Sequence, residues 1–531
     1  MSSGLDRLHP VVVHHLVNTL GWQSLRPLQD QAAGPVLDGA DALLLAPTAG
    51  GKTEAAVFPL LTAMETQGWS GLSVIYVCPL KALLNSLLPR LETYAAWLGR
   101  RVAVWHGDVS ASARQRILRE PPDLLLTTPE SLEAMLISLK VEHGRVFADL
   151  QAIVIDEVHA FAGDDRGWHL LAVLERLTRV TERPIQRIGL SATVGNPAEL
   201  LNWLQGSGRG HRSAVVVAPD PVSARAGDAG TGVSGEGARP PGDIELDYVG
   251  SVSNAATVIA SLHRGEKRLV FCDSRQLVEE IGAALRGRGV TTFLSHASLP
   301  LDERRRAEQA FAEARDCVIV ATSTLELGID VGDLDRVIQV NDPPSVASFL
   351  QRIGRTGRRD GSSRNCLFLA LGTGPLLWSA GLLHLWGQGY VEPVVAPPEP
   401  RHIVAQQLLA LCLQEHRIGR RTWIEAWNGL APFDQSAEPI LRHLLDQGFI
   451  DRDGELLFIG PTTVHRALRP TGDRPDRPDA ADRKGRGSAT APTRRAQLAR
   501  DLDRLDPAPM LRRVGRGRRE GPLADSGRFG S

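Results

Sequence analysis

The stretch Ala42-Leu43-Leu44-Leu45-Ala46-Pro47-Thr48-Ala49-Gly50-Gly51-Lys52-Thr53-Glu54 decides the fold of this chain. Its first part, residues 42–46, is apolar throughout and predicts a strand buried in a parallel sheet. A Pro/Gly segment follows, and Lys52 and Thr53 open a helical stretch. A strand, a glycine-rich loop and a helix in this order are the setting of a phosphate-binding loop, whose backbone N–H groups surround a phosphate.

We predict that this loop binds a nucleotide through Thr48, Ala49, Gly50, Gly51, Lys52 and Thr53. Lys52 would reach the β- and γ-phosphates, and the Thr53 hydroxyl would hold Mg²⁺. The strict pattern begins with glycine where this chain has Ala46, and alanine still permits a tight loop. For a match taken alone, the alternative is a glycine-rich turn that binds no nucleotide.

The composition is that of a globular protein, with 43% hydrophobic and 23% charged residues among 531. The formal net charge of −1 excludes a globally basic surface, so any nucleic-acid site must be a local groove. The five cysteines form no CxxC pair, and we expect buried free thiols rather than a zinc site or disulfides. Neither a signal-peptide layout nor an apolar run of ~18 residues occurs, so we expect a cytoplasmic protein without a membrane span.

Apolar strands alternate with helices from Glu54 to about Val194, which predicts a parallel sheet covered on both faces. The strand candidates are residues 73–78, 101–105, 123–127, 152–155 and 186–190. Asp156 and Glu157 follow one of them and are predicted to be catalytic. Asp156 would hold Mg²⁺ through water, and Glu157 would polarise the attacking water. Buried paired acids have little structural value unless a cation meets them, which favours a metal site.

Two further motifs are less specific. Gln29 lies upstream of the phosphate loop, and its amide can both donate to and accept from the edge of an adenine. An ordinary surface glutamine is the alternative. Ser191-Ala192-Thr193 ends another strand with two hydroxyls, which could connect the nucleotide to a neighbouring lobe. The alternative is a plain turn at the end of the strand.

Polar loops follow the remaining strands, in segments 78–83, 105–108 and 127–131. Such strand ends can grip successive phosphates of one nucleic-acid strand without reading its bases. Taken singly, each is a solvated turn, and their regular placement favours the functional interpretation. The predicted nucleic-acid contacts are Pro79, Lys81, Thr128, Pro129 and Ser131, joined in the second half of the chain by Ser274, Arg275 and Thr322.

A second run of strands and helices follows a Gly/Ala/Ser/Pro-rich segment, residues 205–243, which we interpret as a flexible linker with one short apolar strand. Strand candidates here are 268–272, 290–294, 317–321 and 336–339. Gln351, Arg355 and Arg358 are spaced to share one helical face, where they would clamp the γ-phosphate charge across a cleft. The alternative is a basic helix end on the surface that binds no phosphate. The glycines among the arginines argue against this alternative.

Taken together, these motifs resemble the ordered set of the superfamily 2 helicases over about residues 22–370. The set is Gln29, APTAGGKT (46–53), DEVH (156–159), SAT (191–193), TSTLELGID (322–330) and QRIGRTGR (351–358). The stretches around residues 156–177 and 322–358 resemble the Lhr-like DExH group. The resemblance implies two RecA-like lobes, with ATP and Mg²⁺ as cofactors, and it places Gly328 and Asp330 near the ribose. It also implies single-stranded DNA-dependent ATP hydrolysis, 3′→5′ translocation and duplex unwinding.

The expected fold class is therefore α/β, in five parts: a first RecA-like lobe with an N-terminal helix (1–204), the linker (205–243), a second lobe (244–395), a winged helix (400–466) and a tail (467–531). Trp423 and Trp427 could stack a base, although core packing is the better interpretation for at least one. The tail is rich in Arg, Asp, Pro and Gly, so we expect disorder there instead of the helical domain of the family. A truncated or frame-shifted end is our hypothesis for this departure.

The partner implied is single-stranded DNA or an RNA–DNA hybrid. The alternative enzyme is a DExH RNA helicase of superkiller type, which shares the DEVH motif and the winged helix. The alternative from a different class is a degenerate, non-processive DNA-binding ATPase or scaffold subunit. Repair, recombination and phage defence would all use such a motor.

Overall fold

The computed structural model describes residues 3–47, 50–219, 243–296, 310–311, 313–322, 334–357 and 364–468. The chain divides into two compact units. The first unit takes in the described residues of Met1–Thr128, Val146–Gly167 and Arg183–Ala396, and the second those of Pro129–Arg145, Trp168–Glu182 and Pro397–Ser531. Both large sheets belong to the first unit, which confirms the predicted α/β class with two parallel-sheet lobes.

The first sheet has seven parallel strands in the order β3-β4-β2-β5-β6-β1-β7. The five middle strands are almost wholly buried, as expected for apolar strands covered on both faces. The strands are β1 (Asp41–Leu45), β2 (Val74–Val77), β3 (Val102–Trp105), β4 (Leu124–Thr127), β5 (Ala152–Ile155), β6 (Gln186–Ser191) and β7 (Ala214–Val217).

The second sheet has six parallel strands in the order β10-β11-β9-β12-β13-β8. Its strands are β8 (Asp243–Tyr248), β9 (Lys267–Phe271), β10 (Thr292–Ser295), β11 (Cys317–Ala321), β12 (Arg336–Val340) and β13 (Asn365–Ala370). One apolar cluster fills each face of this sheet. Because all strands of a sheet run the same way, their C-terminal ends meet at one edge.

Helices cover both sheets. Those beside the first sheet are Gly4–Arg7, Pro10–Asn18, Pro27–Leu37, Lys52–Thr66, Lys81–Ala96, Ala111–Arg119, Val158–Ala162 and Pro197–Gln205. Those of the second lobe are Val252–Ser261, Arg275–Arg286, Val346–Ile353 and Thr373–Gly387. Across the described residues, no helix combines the length and the apolarity that a membrane crossing requires.

The second unit combines helices with a small antiparallel sheet. The sheet has the order β14-β16-β15, from β14 (Ile418–Gly419), β15 (Ile450–Asp453) and β16 (Leu456–Ile459). The last two form a hairpin in which Asp453 pairs with Leu456. The helices are Pro129–Leu136, most of Asp165–Thr181, Arg401–Glu415, Glu438–Asp446 and Pro461–Leu468, with a 3₁₀ turn at Trp423–Trp427. These elements are compatible with the winged helix that the sequence predicts for residues 400–466.

The structure differs from the expected boundaries in two places. Strand β7 pairs with β1, so the first sheet continues beyond residue 204, where the predicted linker begins. Residues 129–145 and 168–182 belong to the second unit, although the sequence analysis assigned everything up to residue 204 to the first lobe. Most of the linker (220–242) and of the tail (469–531) lies outside the described residues.

Buried side chains account for several of the other expectations. All five cysteines are buried free thiols, as predicted. Trp423 and Trp427 are also buried and contact each other edge to face, with ring centroids 6.1 Å apart. Trp427 further stacks on Phe433. Both tryptophans therefore belong to the core of the second unit, and base stacking by either one is not compatible with this structure.

Candidate functional site

The phosphate loop follows β1 at the C-terminal edge of the first sheet, as the sequence predicts. Lys52 begins the helix Lys52–Thr66 and is almost fully buried. Its Nζ donates to the carbonyl oxygens of Ala46 (2.9 Å) and Pro47 (3.4 Å). The ammonium group is thus held inside its own loop by neutral carbonyl oxygens. Phosphate oxygens could replace them and would bind the ammonium group more strongly, because they are negatively charged.

Glycine is required at Gly51 for two reasons. Its φ of +78° lies in the left-handed region, and an added Cβ would lie 2.4 Å from Nε2 of Gln29. Gln29 is buried, accepts the backbone N–H of Arg26 at 3.0 Å and donates to the Gly51 carbonyl at 3.4 Å. The structure therefore brings Gln29 against the phosphate loop, which excludes the alternative of an ordinary surface glutamine.

Asp156 directly follows β5 and is buried beside the phosphate loop. Its Oδ2 accepts the Tyr76 hydroxyl at 3.0 Å, and its Oδ1 accepts the backbone N–H of Glu157 at 2.9 Å. Burial and the neighbouring Glu157 charge raise the pKa of Asp156, and Lys52 opposes this effect. Two adjacent acids in such a position are compatible with a bound cation, which would relieve their repulsion.

Glu157 has a φ of +50°, a conformation that costs a non-glycine residue about 1–2 kcal/mol. This backbone turn directs the chain from β5 into the helix Val158–Ala162, on which His159 lies. The imidazole contacts three groups: Oε2 of Glu157 at 3.6 Å, Oγ of Ser191 at 3.0 Å and Nε2 of Gln351 at 2.7 Å. Burial lowers the pKa of His159, so the neutral ring can accept from the Gln351 amide on Nε2 and donate from Nδ1 to Ser191.

These contacts join the two lobes at the acids. Gln351 lies on the helix Val346–Ile353 of the second lobe, whereas Glu157, His159 and Ser191 belong to the first. The relay from the SAT motif to the neighbouring lobe, which the sequence suggests, is compatible with this arrangement. His159 is its centre, and the sequence analysis assigned no role to this residue.

The arginine segment differs from the prediction. The helix ends at Ile353, and Gly354 and Arg355 lie in the turn that follows it, so the predicted helix stops before Arg355. Arg355 is buried. Arg352 donates to Gln339 on β12 and lies over the Phe271 ring at 4.8 Å. Its planar cation thereby fixes the helix on the second sheet.

Several predicted residues lie outside the described part of the chain. They are Thr48 and Ala49 of the phosphate loop, Gly328 and Asp330 near the expected ribose, and Arg358. Gly50 and Thr53 are described. An added Cβ on Gly50 would lie 2.6 Å from Cβ of Ala46, the residue that replaces the usual first glycine. The side chain of Thr53 lies near the Tyr76 hydroxyl, next to Asp156.

The predicted strand contacts differ in their exposure. Lys81 is partly exposed and pairs with Asp108 at 2.7 Å, and Ser274 and Arg275 are exposed at the start of the helix Arg275–Arg286. Thr322 is half-buried directly after β11. Pro79 and Thr128 are buried. The first unit therefore offers Lys81, Ser274 and Arg275 as accessible contacts.

The remaining two candidates, Pro129 and Ser131, belong to the second unit. Pro129 is buried at the start of the helix Pro129–Leu136, and Ser131 is half-buried two residues further along. The Ser274 hydroxyl caps its own helix by accepting the Leu277 N–H at 3.2 Å, so it already has one partner.

The sequence analysis missed two residues that hold these loops in place. The Tyr76 hydroxyl contacts Asp156 from the neighbouring strand β2. Arg166 lies over the Phe161 ring and donates to the carbonyl oxygen of Pro79 at 3.0 Å, so it ties the segment after the acids to the loop before Lys81. A tyrosine inside an apolar strand and an arginine nine residues after Glu157 are the only local signals for them.

Comparison with known families supports the two-lobe interpretation. The family described as DEAD/DEAH box helicase matches residues 26–201. The family described as helicase conserved C-terminal domain matches residues 252–360. The first segment contains six of the seven strands of the first sheet, and the second contains four of the six strands of the second sheet.

Curated relatives carry helicase names. The Lhr helicase/probable uracil glycosylase of Mycolicibacterium smegmatis is 32% identical over 467 residues, which cover 78% of this chain and 30% of that protein. The Lhr helicase/uracil glycosylase of Escherichia coli is 33% identical over 435 residues, covering 70% of this chain and 28% of that protein. The ATP-dependent helicase Lhr-Core of Methanocaldococcus jannaschii is 28% identical over 414 residues, covering 74% of this chain and 47% of that protein. The chain thus spans less than half the length of these relatives.

Solved structures show the same architecture. Mycobacterium smegmatis helicase Lhr bound to ssDNA and AMP-PNP superimposes with a TM-score of 0.72 at 28% identity, covering 89% of this chain and 64% of that chain. The DUF1998 helicase MrfA bound to DNA and AMPPNP superimposes with a TM-score of 0.66 at 22% identity, covering 86% of this chain and 62% of that chain. At that identity, the second similarity shows the fold alone.

Proposed function

We propose that this chain is an ATP-driven motor that moves 3′→5′ along single-stranded DNA and unwinds duplexes. The matches to the DEAD/DEAH box helicase and helicase C-terminal families and the similarity to Lhr helicases support this proposal. One connection carries the proposal: His159, whose Nε2 lies 3.6 Å from the Glu157 carboxylate, is hydrogen-bonded to Gln351 of the second lobe. It links the acid that would activate water to the second lobe, so hydrolysis and lobe movement can be coupled. The relatives that bind ssDNA and AMP-PNP support the choice of substrates.

The phosphate loop would hold ATP. Lys52 would exchange the Ala46 and Pro47 carbonyls for phosphate oxygens, because a charged acceptor binds an ammonium group more strongly than a neutral one. Thr53 and Asp156 would hold Mg²⁺, which supplies charge neutralisation between the β- and γ-phosphates. The buried acids, with the raised pKa of Asp156, fit a divalent cation at this position.

Glu157 would orient the attacking water and accept its proton. Gln351 and Arg355 would approach the γ-phosphate from the second lobe and stabilise the charge that develops on it. When inorganic phosphate leaves the site after hydrolysis, Gln351 and Arg355 would lose the charge that they contact, so the lobes would separate. Repeated closing and opening, with one strand held by contacts such as Lys81 and Arg275, would move the lobes along that strand.

Steady-state ATP hydrolysis tests the proposal. We expect turnover that single-stranded DNA stimulates more than single-stranded RNA does. Lys52→Ala and Glu157→Gln should each reduce it by at least about a hundredfold while the thermal unfolding midpoint stays close to that of the wild type. Each variant removes one group from the site and leaves the apolar core intact.

The outcomes separate the alternatives. Stimulation mainly by RNA would favour the superkiller-type RNA helicase. A folded wild-type protein without any hydrolysis would favour the degenerate binding subunit. Unchanged turnover in Glu157→Gln would contradict the assignment of this residue as the general base.

A further inference from the structure

A short segment after the last helix of the second lobe contacts both lobes. We call residues 391–394 (Val391, Glu392, Pro393 and Val394) the strap. The strap follows the helix Thr373–Gly387 and belongs to the first unit, as do its contacts. No motif includes it, and the hydrolysis scheme above gives it no role.

On the first lobe, the strap binds the loop that follows the SAT motif. The Gly195 N–H donates to the Glu392 carbonyl oxygen at 3.2 Å. The Asn196 side chain pairs with the Val394 backbone, since its Nδ2 donates to the Val394 oxygen at 2.9 Å and its Oδ1 accepts the Val394 N–H at 2.7 Å. An added Cβ on Gly195 would lie 2.2 Å from the Val391 oxygen, so only glycine permits this approach.

On the second lobe, the Glu392 side chain caps the helix Val346–Ile353. Its two carboxylate oxygens accept the N–H groups of Val346 (2.8 Å) and Ala347 (3.0 Å). The Ser345 hydroxyl accepts the next donor, from Ser348, at 3.0 Å. The three N–H groups of the first turn are therefore satisfied, and the negative charge complements the positive end of the helix.

This helix carries the groups that would act on the γ-phosphate. Its eight residues span about 12 Å from the capped end to the end beside Arg355. A short, well-bonded helix moves as a body, so a displacement of its first turn also displaces Gln351 and the arginine turn. The strap is therefore a second point, besides the contact of Gln351 with His159, at which the first lobe determines the position of this helix.

We propose that Glu392 is a positioning residue for ATP hydrolysis: through the strap, it sets the helix of Gln351 and Arg355 relative to the first lobe. The inference rests on the proposed function. The Glu392 side chain accepts from two backbone N–H groups of the helix, and the proposal gives it no role in binding the nucleotide. Its effect on hydrolysis is transmitted by the helix.

Kinetics of the full chain with single-stranded DNA test this role. In Glu392→Gln, one acceptor oxygen and the charge are lost while the size of the side chain is retained. We expect kcat to fall about tenfold and the KM for ATP to stay within about twofold, because the phosphate loop is untouched. Glu399→Gln is the matched control, since Glu399 is an exposed acid paired with Arg401 beyond the strap, and it should leave both constants unchanged.

Asn196→Ala tests the other end of the strap. It removes the two hydrogen bonds to Val394 and leaves the Glu392 carboxylate on the helix. We expect a similar fall in kcat. The double variant should lose little more than either single variant, because both changes interrupt one connection. Additive losses, or a KM that rises with the fall in kcat, would overturn the proposal.

Hydrogen exchange gives a readout that does not depend on activity. Asn196→Ala should increase exchange of the Val346 and Ala347 amides, 150 residues away in the sequence, whereas Glu399→Gln should not. Unchanged exchange in Asn196→Ala would show that the strap does not position this helix, even in a protein that hydrolyses ATP. Conversely, an inactive wild type with the expected exchange pattern would refute the proposed function. It would still support the connection from Asn196 through the strap to the helix Val346–Ile353.

Discussion

Buried carboxylates occur at several places in this chain, and their partners distinguish them. Asp41, at the start of β1, accepts from Arg212 and Gln205, and Glu133 accepts from Arg176. The hydrogen bonds to Asp156 come from neutral donors instead, the Tyr76 hydroxyl and a backbone N–H. Burial alone therefore does not identify a catalytic acid. The absence of a bonded arginine at Asp156, among the described residues, is what suits it to a cation.

Tyr76 is the residue that orients this acid. Its hydroxyl donates to Oδ2 of Asp156 and lies near Thr53. Asp156 and Thr53 are the two residues that would hold Mg²⁺. We expect Tyr76→Phe to raise the Mg²⁺ concentration for half-maximal binding of a fluorescent ATP analogue about tenfold, because Asp156 would lose a donor that fixes its Oδ2. Titration of Mg²⁺ at constant nucleotide measures the change.

Tyr248→Phe is the control for this prediction, since Tyr248 is exposed at the end of β8 in the second sheet. Removal of its hydroxyl should leave the Mg²⁺ requirement unchanged. An identical Mg²⁺ requirement in Tyr76→Phe and in the wild type would show that Asp156 needs no such support.

At the scale of elements, a buried charged cluster joins three helices of the second unit. Glu133 comes from Pro129–Leu136, His169 and Arg176 come from Asp165–Thr181, and Gln407 comes from Arg401–Glu415. Glu133 contacts His169 at 2.7 Å and Arg176 at 2.9 Å, and accepts from Gln407 at 2.6 Å. Burial alone would raise the pKa of Glu133, but His169, Arg176 and Gln407 together lower it to about 2.

Glu133→Gln should destabilise the second unit by about 3 to 5 kcal/mol, because Arg176 would remain buried without its carboxylate partner. The charge of Glu133 stabilises the fold above its ordinary pKa of 4.5, and this contribution is lost as the pH falls from 4.5 towards 2. The difference from the wild type should therefore shrink below about pH 4.5. Urea unfolding between pH 7 and pH 3.5 measures it.

Glu142→Gln provides the comparison, since Glu142 forms an exposed pair with Arg145 in the same unit. It should cost less than about 1 kcal/mol, the usual contribution of a surface pair. Equal stabilities of Glu133→Gln and Glu142→Gln at pH 7 would contradict the importance of the buried cluster.

At the scale of the whole molecule, the net charge of −1 offers no general attraction for nucleic acid. Affinity for a strand must come from a few cations at the sheet edges. Lys81 is one candidate, and its pair with Asp108 at 2.7 Å competes with a phosphate for the ammonium group. The affinity of this loop for single-stranded DNA therefore depends on both residues.

We expect Lys81→Ala to weaken binding of single-stranded DNA and to reduce the slope of log K against log salt by about 0.7, the value for one lost phosphate contact. Asp108→Asn should strengthen binding, because Lys81 would lose its competing partner. Fluorescence anisotropy at several salt concentrations measures both effects.

The Arg7–Asp38 pair is the reference for these variants. It is also a surface pair, at 2.6 Å, but it lies near the start of β1, at the opposite edge of the sheet from Lys81. Arg7→Ala should leave the salt dependence unchanged. If Lys81→Ala behaves in the same way, the strand does not contact this loop.

The sequence alone determined the two parallel sheets and the place of Lys52, Asp156 and Glu157 at strand ends. These features depend on local patterns: an apolar run indicates a buried strand, and a motif directly after it must lie at the C-terminal edge of the sheet. The same reasoning placed Arg355 within a helix, whereas the helix ends at Ile353, because the apolar pattern does not specify where a helix stops.

Only the tertiary structure decided which distant residues support the site. Tyr76 and Asp156 are separated by 80 positions, and Asn196 and Val394 by 198. The tertiary structure likewise placed residues 129–145 and 168–182 in the second unit, where Glu133 and Arg176 meet Gln407. The physical reason is that a hydrogen bond or a buried ion pair depends on where two side chains meet in space. The periodicity of each segment specifies only its own secondary structure and its apolar face.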